Sequence, residues 1–121
     1  MQIKILANPL SSNNAYANVR GFRRWKTVKH ISYRDIVGWQ LKGLEKIEGH
    51  IEIGYKFYVR NCRGRDVDNM VKPLQDCLVE NGIIDDDINV YKITAEKILI
   101  SKDEKDHIEI EIKKYNGNKT N

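Results

Sequence analysis

Residues 51 to 59 alternate most cleanly, with Ile51, Ile53, Tyr55, Phe57 and Val59 on one face and Glu52, Lys56 and Tyr58 on the other. That period of two is the mark of a half-buried strand. A shorter alternation at residues 2 to 6 places Ile3 and Ile5 together and stops at Asn8-Pro9, a strand ended by a turn signal. From Leu10 to Val28 no period survives, which predicts a long polar loop too extended to be a simple turn. Ser32 and Asp35 resemble a capping box with Asp in the acidic position, and Tyr33, Ile36, Val37, Leu41 and Leu44 follow at helical spacing, predicting a helix from Ser32 to about Ile47. A second helix is expected to face Val71, Leu74, Cys77 and Leu78 inward and to stop at Gly82. Proline lacks an amide hydrogen and is best tolerated in the first helical turn, so Pro73 predicts a start near Met70 or Val71.

Two further strands are expected at residues 88 to 100 and 107 to 114, joined as a hairpin by the polar turn at 101 to 106. Ile108, Ile110 and Ile112 give the second a continuous apolar face. In the first, the apolar set changes phase between Ala95 and Ile98, as a β-bulge would cause. The order strand, loop, helix, strand, helix, strand, strand describes an α+β single domain, with a small mixed β-sheet and two main helices. The domain is expected to occupy residues 1–115, followed by a disordered tail at 116–121.

A chain of 121 residues is the size of one domain that folds unaided. No apolar run approaches the roughly 18 residues of a membrane span, and Met1 to Leu6 reads as a strand and not as the core of a signal peptide, so a cytoplasmic protein is expected. Cys62 and Cys77 fit no zinc-binding spacing, and His30, His50 and His107 are scattered, which suggests packing or surface roles for all five.

The formal net charge of +4 favours an anionic partner. Arg20, Arg23, Arg24, Lys26 and Lys29 alternate with Phe22 and Trp25 inside the aperiodic segment. Cations that hold phosphates, mixed with rings that stack on bases, suit nucleic acid; a solvated basic loop with Trp25 docked on the core is the plain alternative.

Against this basic background stand Asp66, Asp68 and the run Asp85-Asp86-Asp87. If Pro73 keeps residues 66 to 69 extended, Asp66 and Asp68 face one side, and Asp87, just before the next strand, could converge with them. Hard divalent cations bind such oxygens, and magnesium keeps several waters, so two or three protein acids are enough. A cation held there lowers the pKa of a water and neutralises charge developing on a phosphate ester. The competing interpretation is a helix cap at Asp66 or Asp68 and a solvated turn at 85 to 87. A calcium EF-hand is poorly supported, because Met70 stands where a third oxygen ligand is expected and Val71 where the sharp turn requires glycine. Lys72 is open to two roles, contact with a phosphate or a surface pair with Asp76 at i,i+4.

The string Arg65-Asp66-Val67-Asp68-Asn69-x-x-Lys72-Pro73, then Asp76-x-Leu78, Gly82 and Asp86-Asp87-x-x-Val90, closely resembles the signature of the RusA family of Holliday junction resolvases. The resemblance extends to Pro9-x-Ser11-Ser12-Asn13-Asn14-x-Tyr16, similar to that family's entry loop, and so covers essentially the whole chain. It implies a homodimeric, magnesium-dependent endonuclease that nicks four-way junction DNA symmetrically, without an organic cofactor and away from membranes. It further implies Asp66, Asp68, Lys72 and Asp87 as catalytic residues and Asp66, Asp68, Asp86 and Asp87 as metal ligands. Asn14, Arg20, Arg23, Arg24, Lys26 and Lys29 would contact DNA. Rival readings are a non-catalytic junction-binding protein of the same fold and a hydrolase of small phosphate esters.

Overall fold

The computed structural model describes residues 1–12, 16–19, 23–26, 28–61 and 66–117, with backbone alone at 16–19 and 23–26. A four-stranded sheet is built from β1 (Gln2–Ile5), β4 (Ile51–Val59), β5 (Val90–Leu99) and β6 (His107–Lys114), in the order β1-β6-β4-β5. It is mixed, since β6 runs antiparallel to β1 and to β4 while β5 runs parallel to β4. Two helices, α1 (Val28–Leu41) and α2 (Val67–Glu80), complete the α+β domain expected from the sequence.

The alternation of β4 survives intact, with its five odd-numbered residues buried. Ile108, Ile110 and Ile112 of β6 are buried beside them and pair with Phe57, Tyr55 and Ile53. Val37 and Leu41 from α1, and Met70, Leu74 and Leu78 from α2, close the core over this face.

The last two strands do not form the expected hairpin. β5 and β6 lie on opposite sides of β4, because β6 has a full apolar face that belongs at the sheet centre, whereas β5 is exposed along most of its length and takes the edge. The connection is fixed by Asp106, which accepts a 2.9 Å hydrogen bond from the amide of Arg60 at the end of β4. The bulge also lies elsewhere: residues 95 to 98 are in regular register, and the irregularity is at the start of the strand, where Ile51 faces Val90 and Glu52 faces Lys92. The extra residue, Tyr91, stacks on His50 at 4.1 Å between ring centroids.

Within the segment read as an aperiodic loop, β2 (Tyr16–Val19) and β3 (Arg23–Lys26) pair as a separate antiparallel ribbon. Two four-residue strands are too short to announce themselves by alternation. Helix α1 starts four residues ahead of Ser32 and stops at Leu41, so Ser32 and Asp35 are interior residues, not caps. Its buried positions are His30, Tyr33, Val37 and Leu41, while Ile36 is 48% exposed. The stop is Gly43, whose φ of 84° is a left-handed conformation that glycine adopts without strain. Ile47 lies beyond the helix and bridges to Ile84, which ties the segment after α1 to the segment after α2.

Helix α2 also begins earlier than Pro73 suggested. Asp66 is its N-cap and Val67 its first residue, which puts Asp68 in the first helical turn and removes the extended lead-in. Pro73 stands inside the helix, where the missing amide hydrogen leaves the Asn69 carbonyl without its usual donor. The proline ring is buried in the core, which offsets part of that cost. Gly82, with φ 71°, ends the helix as expected. Residues 118–121 of the expected tail lie outside the described residues.

Candidate active site

The N-terminus of α2 carries the first two acids. Asp66, extended at φ −74° and ψ 139°, makes no side-chain capping bond, so the cap role does not occupy its carboxylate. Asp66 and Asp68 are both exposed at the N-terminal end of the helix. The entry segment reaches the same place: Pro9, Leu10 and Ser11 are buried, and Ser12 Oγ donates to Asn69 Oδ1 at 3.4 Å.

Lys72 lies one turn beyond Asp68 on the same helix. Its ammonium donates to Asp76 at 2.8 Å and to Asp87 Oδ2 at 3.0 Å. The surface pair and the link to the second acidic motif therefore coexist. Hydrogen bonds from the ammonium to Asp76 and then to Asp87 hold the Lys72 pKa well above the ordinary lysine value, so the group is a fixed cation at neutral pH.

The three consecutive aspartates separate by environment. Asp85 forms an ion pair with Lys46, whose pKa is raised by that hydrogen bond and by the attraction of the same carboxylate. Asp86 caps the 3-10 turn Asp87–Asn89 by accepting from the Ile88 amide at 3.4 Å. Asp87 alone of the three turns to α2, where besides Lys72 it meets Gln75, whose Nε2 donates to Oδ1 at 3.2 Å. Gln75 is buried and also accepts a 2.9 Å hydrogen bond from the Tyr55 hydroxyl. The sequence reading missed Gln75 and Tyr55. The available signal was a polar residue at 75, set among the inward-facing Val71, Leu74 and Leu78 of α2.

Carboxylate oxygens of this kind suit a hard divalent cation. Among the described residues, no three Asp, Glu, His or Cys side chains stand close enough together to enclose a metal ion. Magnesium does not need such a cage, because it keeps waters and draws ligands from substrate phosphate. The histidines stay apart from the site: His30 is buried on α1, His50 stacks on Tyr91, and His107 stacks on Tyr58. Of the basic residues expected to touch DNA, Arg23, Arg24 and Lys26 lie in β3 and Lys29 is exposed in the first turn of α1. Asn14 and Arg20 lie outside the described residues, as do Cys62 and Arg65. No helix among the described residues is long and apolar enough to cross a membrane.

Comparison with known proteins places the chain among the DNA-cleaving enzymes. The family model described as "Endodeoxyribonuclease RusA" matches residues 7–113, and the chain belongs to the RusA family of endodeoxyribonucleases. A curated relative, the "Crossover junction endodeoxyribonuclease RusA" of Aquifex aeolicus (strain VF5), is 28% identical over 94 residues, covering 74% of this chain and 75% of the relative.

Proposed function

We propose that this protein resolves four-way DNA junctions in recombination and repair, acting in the cytoplasm as a homodimer that makes paired symmetric nicks with magnesium. The observation that carries the reading is the contact of Lys72, on the helix that Asp66 caps, with Asp87 of the second acidic motif. Asp66, Asp68 and Asp87 would hold magnesium, with Asp86 adjacent and Asp85 engaged by Lys46. Bound there, the ion supplies a Lewis acid for the phosphate and an acidified water as nucleophile. Lys72, a permanent cation beside Asp87, would bind the scissile phosphate and offset the negative charge that grows as the bond to the leaving oxygen lengthens. Arg20, Arg23, Arg24, Lys26 and Lys29, together with Asn14, grip the DNA backbone outside the reacting centre. Two copies related by a twofold axis present one site to each of two equivalent phosphates, which accounts for paired cuts within one bound complex.

The test compares a synthetic four-way junction with a linear duplex of matched sequence, with magnesium or with chelator, for the unaltered protein and Asp68→Asn. The expected result is symmetric nicking of the junction alone, lost in the variant while binding persists. Junction binding without cleavage by the unaltered protein would favour a binding module. Equal action on both substrates would remove junction selectivity from the reading.

A further inference from the structure

Asp87 is held from two sides by groups of different character. Oδ2 meets Lys72, whose side chain is 56% exposed and shared with Asp76. Oδ1 meets the amide of Gln75, which is 7% exposed and is itself tied to Tyr55, 1% exposed on β4. Only the second contact connects the acid to the rigid interior.

The direction of this chain is fixed by chemistry. A carboxylate accepts hydrogen bonds and donates none, so the Gln75 amide must turn its NH2 toward Asp87 and its oxygen toward Tyr55. Tyr55 must then donate. Burial, followed by the nearby charges of Asp87 and Asp76, pushes the phenol pKa far above its usual value and keeps that donor proton in place. Neither orientation can reverse without setting oxygen against oxygen in the interior, a cost that locks the sequence Tyr55 to Gln75 to Asp87.

We propose that Gln75, oriented by Tyr55, is a positioning residue that fixes the Asp87 carboxylate for phosphodiester cleavage by anchoring Oδ1 and leaving Oδ2 to the reacting side of the site. The assignment rests on the proposed role of Asp87. It also accounts for a polar side chain retained on the core face of α2, where leucine would pack without needing a partner. Hydrogen bonds that orient metal-binding carboxylates are typically worth about 10–100-fold in affinity or activity.

The test uses the full chain carrying Gln75→Met, which keeps the shape of the side chain and removes the amide, with Tyr55→Phe as the second variant. Melting temperature and junction binding in chelator serve as controls. Single-turnover cleavage by Q75M is expected to fall about 10–100-fold and to require more magnesium for half-maximal rate, while junction affinity stays within about twofold. Y55F, which removes one neutral hydrogen bond, is expected to lose roughly 2–10-fold. Independent of activity, the Gln75 side-chain amide signals in a 15N-labelled protein should shift in Asp87→Asn and in Y55F, and again when magnesium alone is added to the unaltered chain. Normal cleavage by folded Q75M across the magnesium range, with D87N inactive, would overturn the positioning role alone. If Q75M does not fold, normal cleavage by Y55F or unmoved amide signals in D87N would do the same. Full activity in D87N would overturn the underlying reading of Asp87.

Discussion

Lys72 reaches across 15 residues of sequence to place its ammonium 3.0 Å from Asp87 Oδ2, while holding Asp76 at 2.8 Å on its own helix. A cation bracketed by two acids is neither a simple surface pair nor a free phosphate ligand. It offsets the charge of both carboxylates, and on the proposed reading it would stand beside Asp87 when a phosphate arrives.

Replacing Lys72 with methionine tests this arrangement. The side chain is more than half exposed, so the ion pairs contribute little to stability, less than about 1 kcal/mol after solvent screening. Cleavage is expected to fall about 10²–10³-fold, the usual loss when a group that stabilises transition-state charge is removed. The pH dependence follows from the direction of the shift. Asp76 and Asp87 raise the folded-state pKa, so the charged-state contribution is complete below the ordinary lysine value of about 10.4 and is lost only as pH rises through the higher folded value. Rates between about pH 7 and about pH 9 should therefore show no break from Lys72. A lysine-dependent fall within that window, absent in K72M, would contradict the bracketed cation.

Asp85, Asp86 and Asp87 should separate when each is changed to asparagine. Asp85 has an exposed partner in Lys46, and D85N is expected to cleave junctions normally with little change in stability, because solvent screens such a pair. D86N keeps an acceptor for the Ile88 amide, so the 3-10 turn survives in it. D87N should lose about 10²–10³-fold in single-turnover rate. A D85N enzyme as impaired as D87N would show that the Lys46 pair is broken in the working complex.

Gly82 sets where the aspartate run begins. Its φ of 71° is left-handed, and a Cβ added there would meet nothing within 4 Å, so the cost of Gly82→Ala is backbone strain alone. That cost is about 1–2 kcal/mol, readable by urea denaturation. Residue 83 follows at once with its amide bonded to Leu78 O at 2.9 Å, so relief of the strain by unwinding would move Asp87 from Lys72. G82A should lose cleavage as well as stability, and a variant destabilised by this amount yet fully active would show that the loop tolerates the shift.

The elements with a full apolar face were the most legible. Ile51 to Val59 and Ile108 to Ile112 declared both their strands and their inward sides, since burial of one face requires period two over the whole length. The neighbour of each strand was not legible in the same way: β5 leads into a polar turn like any hairpin strand, yet β6 pairs with β1 and β4 and leaves β5 on the far side of β4. Pro73 misled because proline's helical cost is real but smaller than the tertiary gain at this position, so the helix extends back past it to Val67. At the candidate site, the contact of Lys72 with Asp87 joins two residues that the motif made visible. The Gln75 and Tyr55 support was not, because a hydrogen bond between a helix and a strand 20 residues apart leaves no local period.

The ribbon makes a quantitative prediction about DNA. Arg23, Arg24 and Lys26 stand in β3, and Lys29 follows in the first turn of α1, so these four cations lie on elements other than α2. Each phosphate neutralised on duplex arms releases condensed counterions and contributes about −0.9 to the slope of log affinity against log salt concentration. If the proposed dimer presents several such cations on each subunit, the slope for a four-way junction should be steeper than about −4. Arg24→Gln and Lys29→Gln should each make it shallower by about one contact per subunit and weaken junction and duplex binding alike. Single-turnover cleavage at saturating protein should change little in the same variants if their proposed role is grip on the DNA backbone and not contact with the reacting phosphate. A slope near zero, or variants that bind normally but cleave slowly, would transfer these residues from backbone contact to the chemistry itself.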